Sequence, residues 1–115
     1  MAYDEIIVNR IREELGNKTA VEETKMFQGI CFMVHDKMCV CARDNHILCR
    51  IGSEQAEIEL EKGECRQMIS HGRVMKDFVF VDLENVKTNQ ALKYWINLAL
   101  SFNVHAKSSK RRKRA

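Results

Sequence analysis

Two runs of the sequence, GICFMV (29–34) and KMCVCA (37–42), are apolar at nearly every position and are separated only by His35 and Asp36. Short segments of this kind, broken by two polar turn formers, read as a β-hairpin. Side chains alternate between the faces of a strand, so a strand that is apolar throughout has no wet side. With a two-residue turn, Ile30, Phe32, Cys39 and Cys41 share one face, and Cys31, Met33, Met38 and Val40 share the other. An antiparallel sheet ordinarily keeps one face solvated. This hairpin therefore needs cover on both sides, from the chain's own helices or, over part of one side, from another chain. The stretch DFVFV (77–81) behaves alike, with Phe78 and Phe80 opposing Val79 and Val81.

The remaining segments supply candidates for that cover. Ile7, Ile11 and Leu15 recur every four positions with Ile6 alongside, which predicts an amphipathic helix over 3–15, stopped by Gly16-Asn17. Strands are expected at 29–35, 38–43 and 46–51. Ser53 is positioned to cap a short acidic helix over 54–61 that ends at Gly63. Two more strands, 65–70 and 75–82, precede a final helix capped by Thr88 or Asn89 and running to about 104. Its stripe of Leu92, Trp95, Ile96, Ala99 and Phe102 points to a core. The expected class is α+β: an antiparallel sheet of about five strands with N- and C-terminal helices packed on it. At 115 residues this is one domain.

Charge divides the chain into a body, 1–106, and a basic tail, 107–115, expected to be disordered. Six of the nineteen Lys and Arg lie in the tail, which leaves thirteen against sixteen acidic residues and a net charge of −3 on the body. Lys110, Arg111, Arg112, Lys113 and Arg114 could make weak, non-specific phosphate contacts, or could simply solubilise the end. No apolar run approaches the roughly 20 residues a membrane span needs. The first ten residues lack the build of a signal peptide, so a cytoplasmic location without membrane contact is expected.

Five cysteines, at 31, 39, 41, 49 and 65, are an odd number with no C-x-x-C among them. Free, buried thiols are the expected state. Two-residue turns put Cys31 opposite to Cys39 and Cys41, whereas a three-residue turn reverses the parity and brings Cys31 against Cys41. Cys39 and Cys41, with Cys49 on the next strand, are the minor alternative for a thiol or metal pair. His35 and His46 are expected to be solvated turn residues, and the acidic stretch SEQAEIELEKGE a solvated helix face. No nucleotide-binding, nucleophile-elbow or zinc-protease motif occurs, so neither an enzyme, a metal site nor a cofactor is expected.

Four stretches read together carry a resemblance: RIREEL (10–15), KMFQGICFMVHDKMCV (25–40), GRVMKDFVFVD (72–82) and WINLALSF (95–102). The chain resembles the N-terminal domain of the TfoX/Sxy competence regulators, as a stand-alone single-domain member. Gln28 stands where that family usually has a second glycine, Val74 where it usually has proline, and His35-Asp36 where it has an Asn-Gly type turn. The resemblance implies a secretion-chaperone-like α+β fold and a non-enzymatic regulatory role. Full members look like transcriptional co-activators and carry a helical second domain that is absent here. A protein partner, or a second copy of the chain, is the implied ligand. The candidate contact residues are Lys25, Met26, Phe27, Gly29, Arg73, Met75 and Lys76.

Overall fold

The computed structural model describes residues 4–16, 21–26 and 28–106. Helix α1 (Glu5–Leu15) starts where the Asp4 carboxylate accepts the backbone N–H groups of Ile6 and Ile7, satisfying two donors that a helix start otherwise leaves orphaned. It is followed by β1 (Val21–Met26), β2 (Gly29–Val34), β3 (Lys37–Ala42) and β4 (His46–Arg50). Helix α2 (Ser53–Lys62) then leads into β5 (Arg66–Ser70) and β6 (Arg73–Asp82). A short 3-10 turn, Leu83–Val86, precedes α3 (Asn89–Asn103). Thr88 caps α3 by accepting from the Ala91 N–H at 3.0 Å. The cap of α2 is Gly52 rather than Ser53, and it makes no side-chain hydrogen bond.

The six strands form one antiparallel sheet in the order β1-β2-β3-β4-β6-β5. The expected count of about five is short by β1. Its sequence, VEETKM, lies on an edge with residues 22–25 exposed, so it carries none of the apolar signal that betrays a buried strand. The β2–β3 turn is the two-residue His35-Asp36, both at positive φ (53° and 65°), as a primed hairpin turn requires.

Helices α1 and α3 pack on one face of the sheet. Ile7, Ile11 and Leu15 meet Leu92, Trp95, Ile96 and Ala99 over Phe32, Val40, Ile47, Val79 and Val81. Trp95 is the largest fully buried side chain among the described residues, and its removal to Ala would cost about 3–5 kcal/mol. The end of α3 is tied to the β2–β3 turn from both sides. Asn103 Nδ2 donates to the Val34 carbonyl at 3.1 Å, and Lys37 Nζ donates to the Asn103 carbonyl at 3.0 Å.

Candidate interaction surfaces

The other sheet face has a different construction. Its buried cluster is Cys31, Met33, Met38, Cys41, Leu48 and Met68, with Met26, Phe78 and Phe80 packed against it. All six strands contribute, and among the described residues no helix does. Among the described residues, the hairpin's demand for cover on both sides is thus met by helices on one side only. On the other, arginines spread over the aromatic rings. The Arg43 and Arg66 guanidinium carbons stand 5.5 and 5.7 Å from the Phe80 ring centre, and that of Arg50 stands 5.6 Å from Phe78. Such stacking gives each cation an electrostatic contact with the ring face while its stem covers apolar surface.

A β-bulge changes the expected distribution of cysteines. Near the turn, Val34 faces Lys37 and Met33 faces Met38, but Phe32 then faces Val40, leaving Cys39 as the extra residue. Beyond it the parity is reversed, and Cys31 faces Cys41. Cys39 and Cys41 therefore do not share a face, which dismantles the proposed Cys39–Cys41–Cys49 site. Cys39 and Val40 both lie in the helix-covered cluster with Cys49 and Cys65, while Cys41 lies in the strand-only cluster with Cys31. All five thiols are free and buried. Burial pushes Cys39 up to about 12 and Cys65 up to about 11, and raises Cys49 well above the ordinary thiol range. Among the described residues, no three His, Cys, Asp or Glu side chains converge as metal ligands.

Two residues read as solvated are not. His46 opens β4 rather than sitting in the turn, and its ring packs edge-on against Phe80 with centroids 4.4 Å apart. Burial, with Arg43 and Arg66 nearby, lowers its pKa, and its Nε2 is buried without a hydrogen-bond partner among the described residues. Glu59, in the middle of the acidic helix, is 1% exposed. Its carboxylate accepts from the Tyr94 hydroxyl at 2.5 Å and from Gln55 Nε2 at 2.8 Å, with Lys62 Nζ at 3.5 Å. The signal missed in sequence was Tyr94, on the polar side of the α3 stripe and 35 residues away.

The candidate contact residues separate into two groups at opposite ends of the sheet. Lys25 and Met26 belong to edge strand β1, whereas Arg73, Met75 and Lys76 belong to β6, four strand steps or about 19 Å away. Lys25 is exposed, but Met26 is drawn into the strand-only cluster. Gly29 is buried, and a side chain there would meet the Ala42 carbonyl oxygen at 2.1 Å, so its role is close approach of two strands. Phe27 and the tail residues Lys110, Arg111, Arg112, Lys113 and Arg114 lie outside the described residues. Arg73, Met75 and Lys76 are exposed. Sequence reasoning missed their neighbours: Ile69 and Val74, cross-strand partners in the same hairpin, are 58% and 44% exposed, and Met75 is 36% exposed. A groove of about 270 Å³ runs between α2 and this hairpin, lined among others by Ala56, Leu60, Val74, Met75, Lys76 and Phe78.

A family model described as the TfoX N-terminal domain matches residues 13–103. No curated protein matches the chain. No solved structure matches it either. No helix is long and apolar enough, among the described residues, to cross a membrane.

Proposed function

The chain belongs to the TfoX N-terminal domain family, and from that membership we propose that it works as a regulatory protein-interaction module with no catalytic step of its own. The observation that carries this reading is the contrast between the two sheet edges. Edge strand β1 is guarded by Glu22, Glu23 and Lys25, the charged side chains that prevent unwanted strand pairing. Edge strand β5 instead presents Ile69, whose cross-strand partner Val74 in β6 is exposed on the same face, while Met75, opposite Met68, is exposed on the other. Exposed apolar side chains on an unpaired edge suit an added strand, whose main chain would pair with β5 while its side chains use the groove against α2. The partner is thus an extended, apolar segment of another protein or of a second copy.

Affinity capture from the native cell, with a light-scattering mass on the same preparation, tests this. Replacing Ile69 and Val74 together by Asp should abolish capture of a defined partner or self-pairing, while Lys25→Ala should leave both intact. Equal capture by the doubly substituted chain, or loss only on substitution of Lys25, would overturn the assignment of this edge.

A further inference from the structure

Cys31 and Cys41 are direct partners across β2 and β3. Opposed residues in an antiparallel pair have Cα atoms about 4.5 Å apart at one type of position and about 5.5 Å at the other. Both separations lie within the span of a disulfide. The two side chains leave the sheet on the same face, and both Sγ atoms turn to one acceptor, the Met26 carbonyl oxygen, at 3.7 and 3.8 Å. No other cysteine faces a cysteine in the sheet register.

The pair is chemically asymmetric. A thiol–thiol hydrogen bond holds Cys41 below the ordinary thiol range and Cys31 above it. The thiolate is the nucleophile of sulfur chemistry, so reactivity is placed at Cys41 with a proton donor beside it. Neither residue is exposed, so an oxidant reaches the pair only when the edge beside it opens. Met26 ends β1, which pairs with β2 alone and is largely exposed. Edge segments that bury little open at low free-energy cost. The surrounding Met33, Met38 and Leu48 leave a closed apolar site, so only a small oxidant suits it.

We propose that Cys31 and Cys41 form a dithiol site that reacts with hydrogen peroxide and closes to an intramolecular disulfide. The Cys41 thiolate attacks one peroxide oxygen: an S–O bond forms, the O–O bond breaks, and the departing hydroxide takes the Cys31 proton to leave as water. The Cys31 thiolate then attacks the Cys41 sulfenic acid. The S–S bond forms, the S–O bond breaks, and the oxygen leaves as a second water with the proton Cys41 first gave to solvent. Each sulfur gives up one electron, and the peroxide is reduced by two.

The test treats the folded full chain with hydrogen peroxide, then counts thiols in denaturant and maps peptides by mass. Two of the five thiols should disappear together, with a Cys31–Cys41 cross-link that dithiothreitol reverses. Cys31→Ser should leave Cys41 as a trappable sulfenic acid, and Cys41→Ser should slow loss of the Cys31 thiol about tenfold or more. Five surviving thiols at a dose that oxidises free cysteine would overturn the proposal. So would a cross-link through Cys39, Cys49 or Cys65, or wild-type Cys41 oxidised without an S–S bond. Should either variant fail to fold, the wild-type map alone decides.

Discussion

The Tyr94 hydroxyl donates to the buried Glu59 carboxylate at 2.5 Å, joining α3 to α2 across a span of 35 residues. A hydrogen bond to a buried charge contributes more than a neutral one, and a carboxylate stripped of donors carries its desolvation cost. Tyr94→Phe should therefore lower unfolding free energy by about 1–2 kcal/mol, since Gln55 and Lys62 remain on Glu59. Glu59→Ala, which removes the acceptor for three donors at once, should cost more. Urea denaturation of both variants checks the order, and an unchanged midpoint for Tyr94→Phe would refute the tether.

Gly29 and Gly72 should respond differently to alanine. A Cβ at Gly29 meets the Ala42 carbonyl oxygen at 2.1 Å and Arg43 Cγ at 3.2 Å, so β2 and β3 must separate to admit it. Gly29→Ala should destabilise by upwards of about 4 kcal/mol, the range in which small domains fail to accumulate. A Cβ at Gly72 would meet nothing within 4 Å among the described residues beyond its chain neighbours, but the residue lies at φ +78°, so Gly72→Ala should cost only about 1–2 kcal/mol. Soluble yield and thermal midpoints separate the two, and similar values would contradict the packing described.

Gln28 occupies a left-handed conformation, φ 61°, in the β1–β2 turn. That conformation costs a side-chain-bearing residue about 1–2 kcal/mol, partly offset by the extra freedom glycine loses on folding. Gln28→Gly should thus stabilise the chain by roughly 0.5–1 kcal/mol, less whatever the 3.3 Å contact from Arg43 to the Gln28 amide oxygen contributes. A drop in denaturant midpoint would show that this contact outweighs the backbone strain.

What could be read from sequence followed from strong local signals. The α3 stripe of Leu92, Trp95, Ile96 and Ala99 is buried as its period demands, and the two apolar hairpin strands are where their composition puts them. Strand β1 escaped because VEETKM owes its extended form to pairing with β2, not to any burial pattern of its own. The face assignment of Cys41 failed because one bulged residue, Cys39, inverts the parity of everything after it, and no composition marks a bulge. Glu59 escaped because a carboxylate amid Glu54, Glu57 and Glu61 looks solvated until its distant donor is known.

Acid should weaken the fold in two steps. Burial first, then the nearby Arg43 and Arg66, depress the His46 pKa below its unfolded 6.5, so the folded chain resists the proton that the unfolded chain accepts. Stability attributable to His46 is complete above pH 6.5 and is lost as pH falls toward its lower folded value. The Arg12 guanidinium grips Glu23 through two hydrogen bonds, 2.5 and 2.7 Å, and holds its carboxyl below 4.5. That contribution is full above about pH 4.5 and disappears as Glu23 protonates at lower pH. The pair is well exposed, so it should be worth no more than about 1 kcal/mol. Denaturant midpoints between pH 3 and 8 should fall with acid, with the first step missing in His46→Gln and the second in Glu23→Gln. A parallel decline in all three chains would remove both groups as the cause.

The basic tail should account for whatever affinity the chain has for duplex DNA. The body, at net charge −3, repels a polyanion, whereas Lys107 to Arg114 gathers six positive charges within eight residues. Neutralising six phosphates releases their counterions, so log affinity should fall against log salt with a slope of about −5. Truncation after Ala106 should abolish retention while leaving the circular dichroism and thermal midpoint of the body unchanged. With no aromatic residue in the tail to stack on bases, full-length binding should also be indifferent to base sequence. Fluorescence anisotropy over a salt series, on the full and truncated chains, reads all three. A flat salt response, or equal retention by the truncated chain, would move any nucleic-acid contact off the tail and onto the arginines over Phe78 and Phe80.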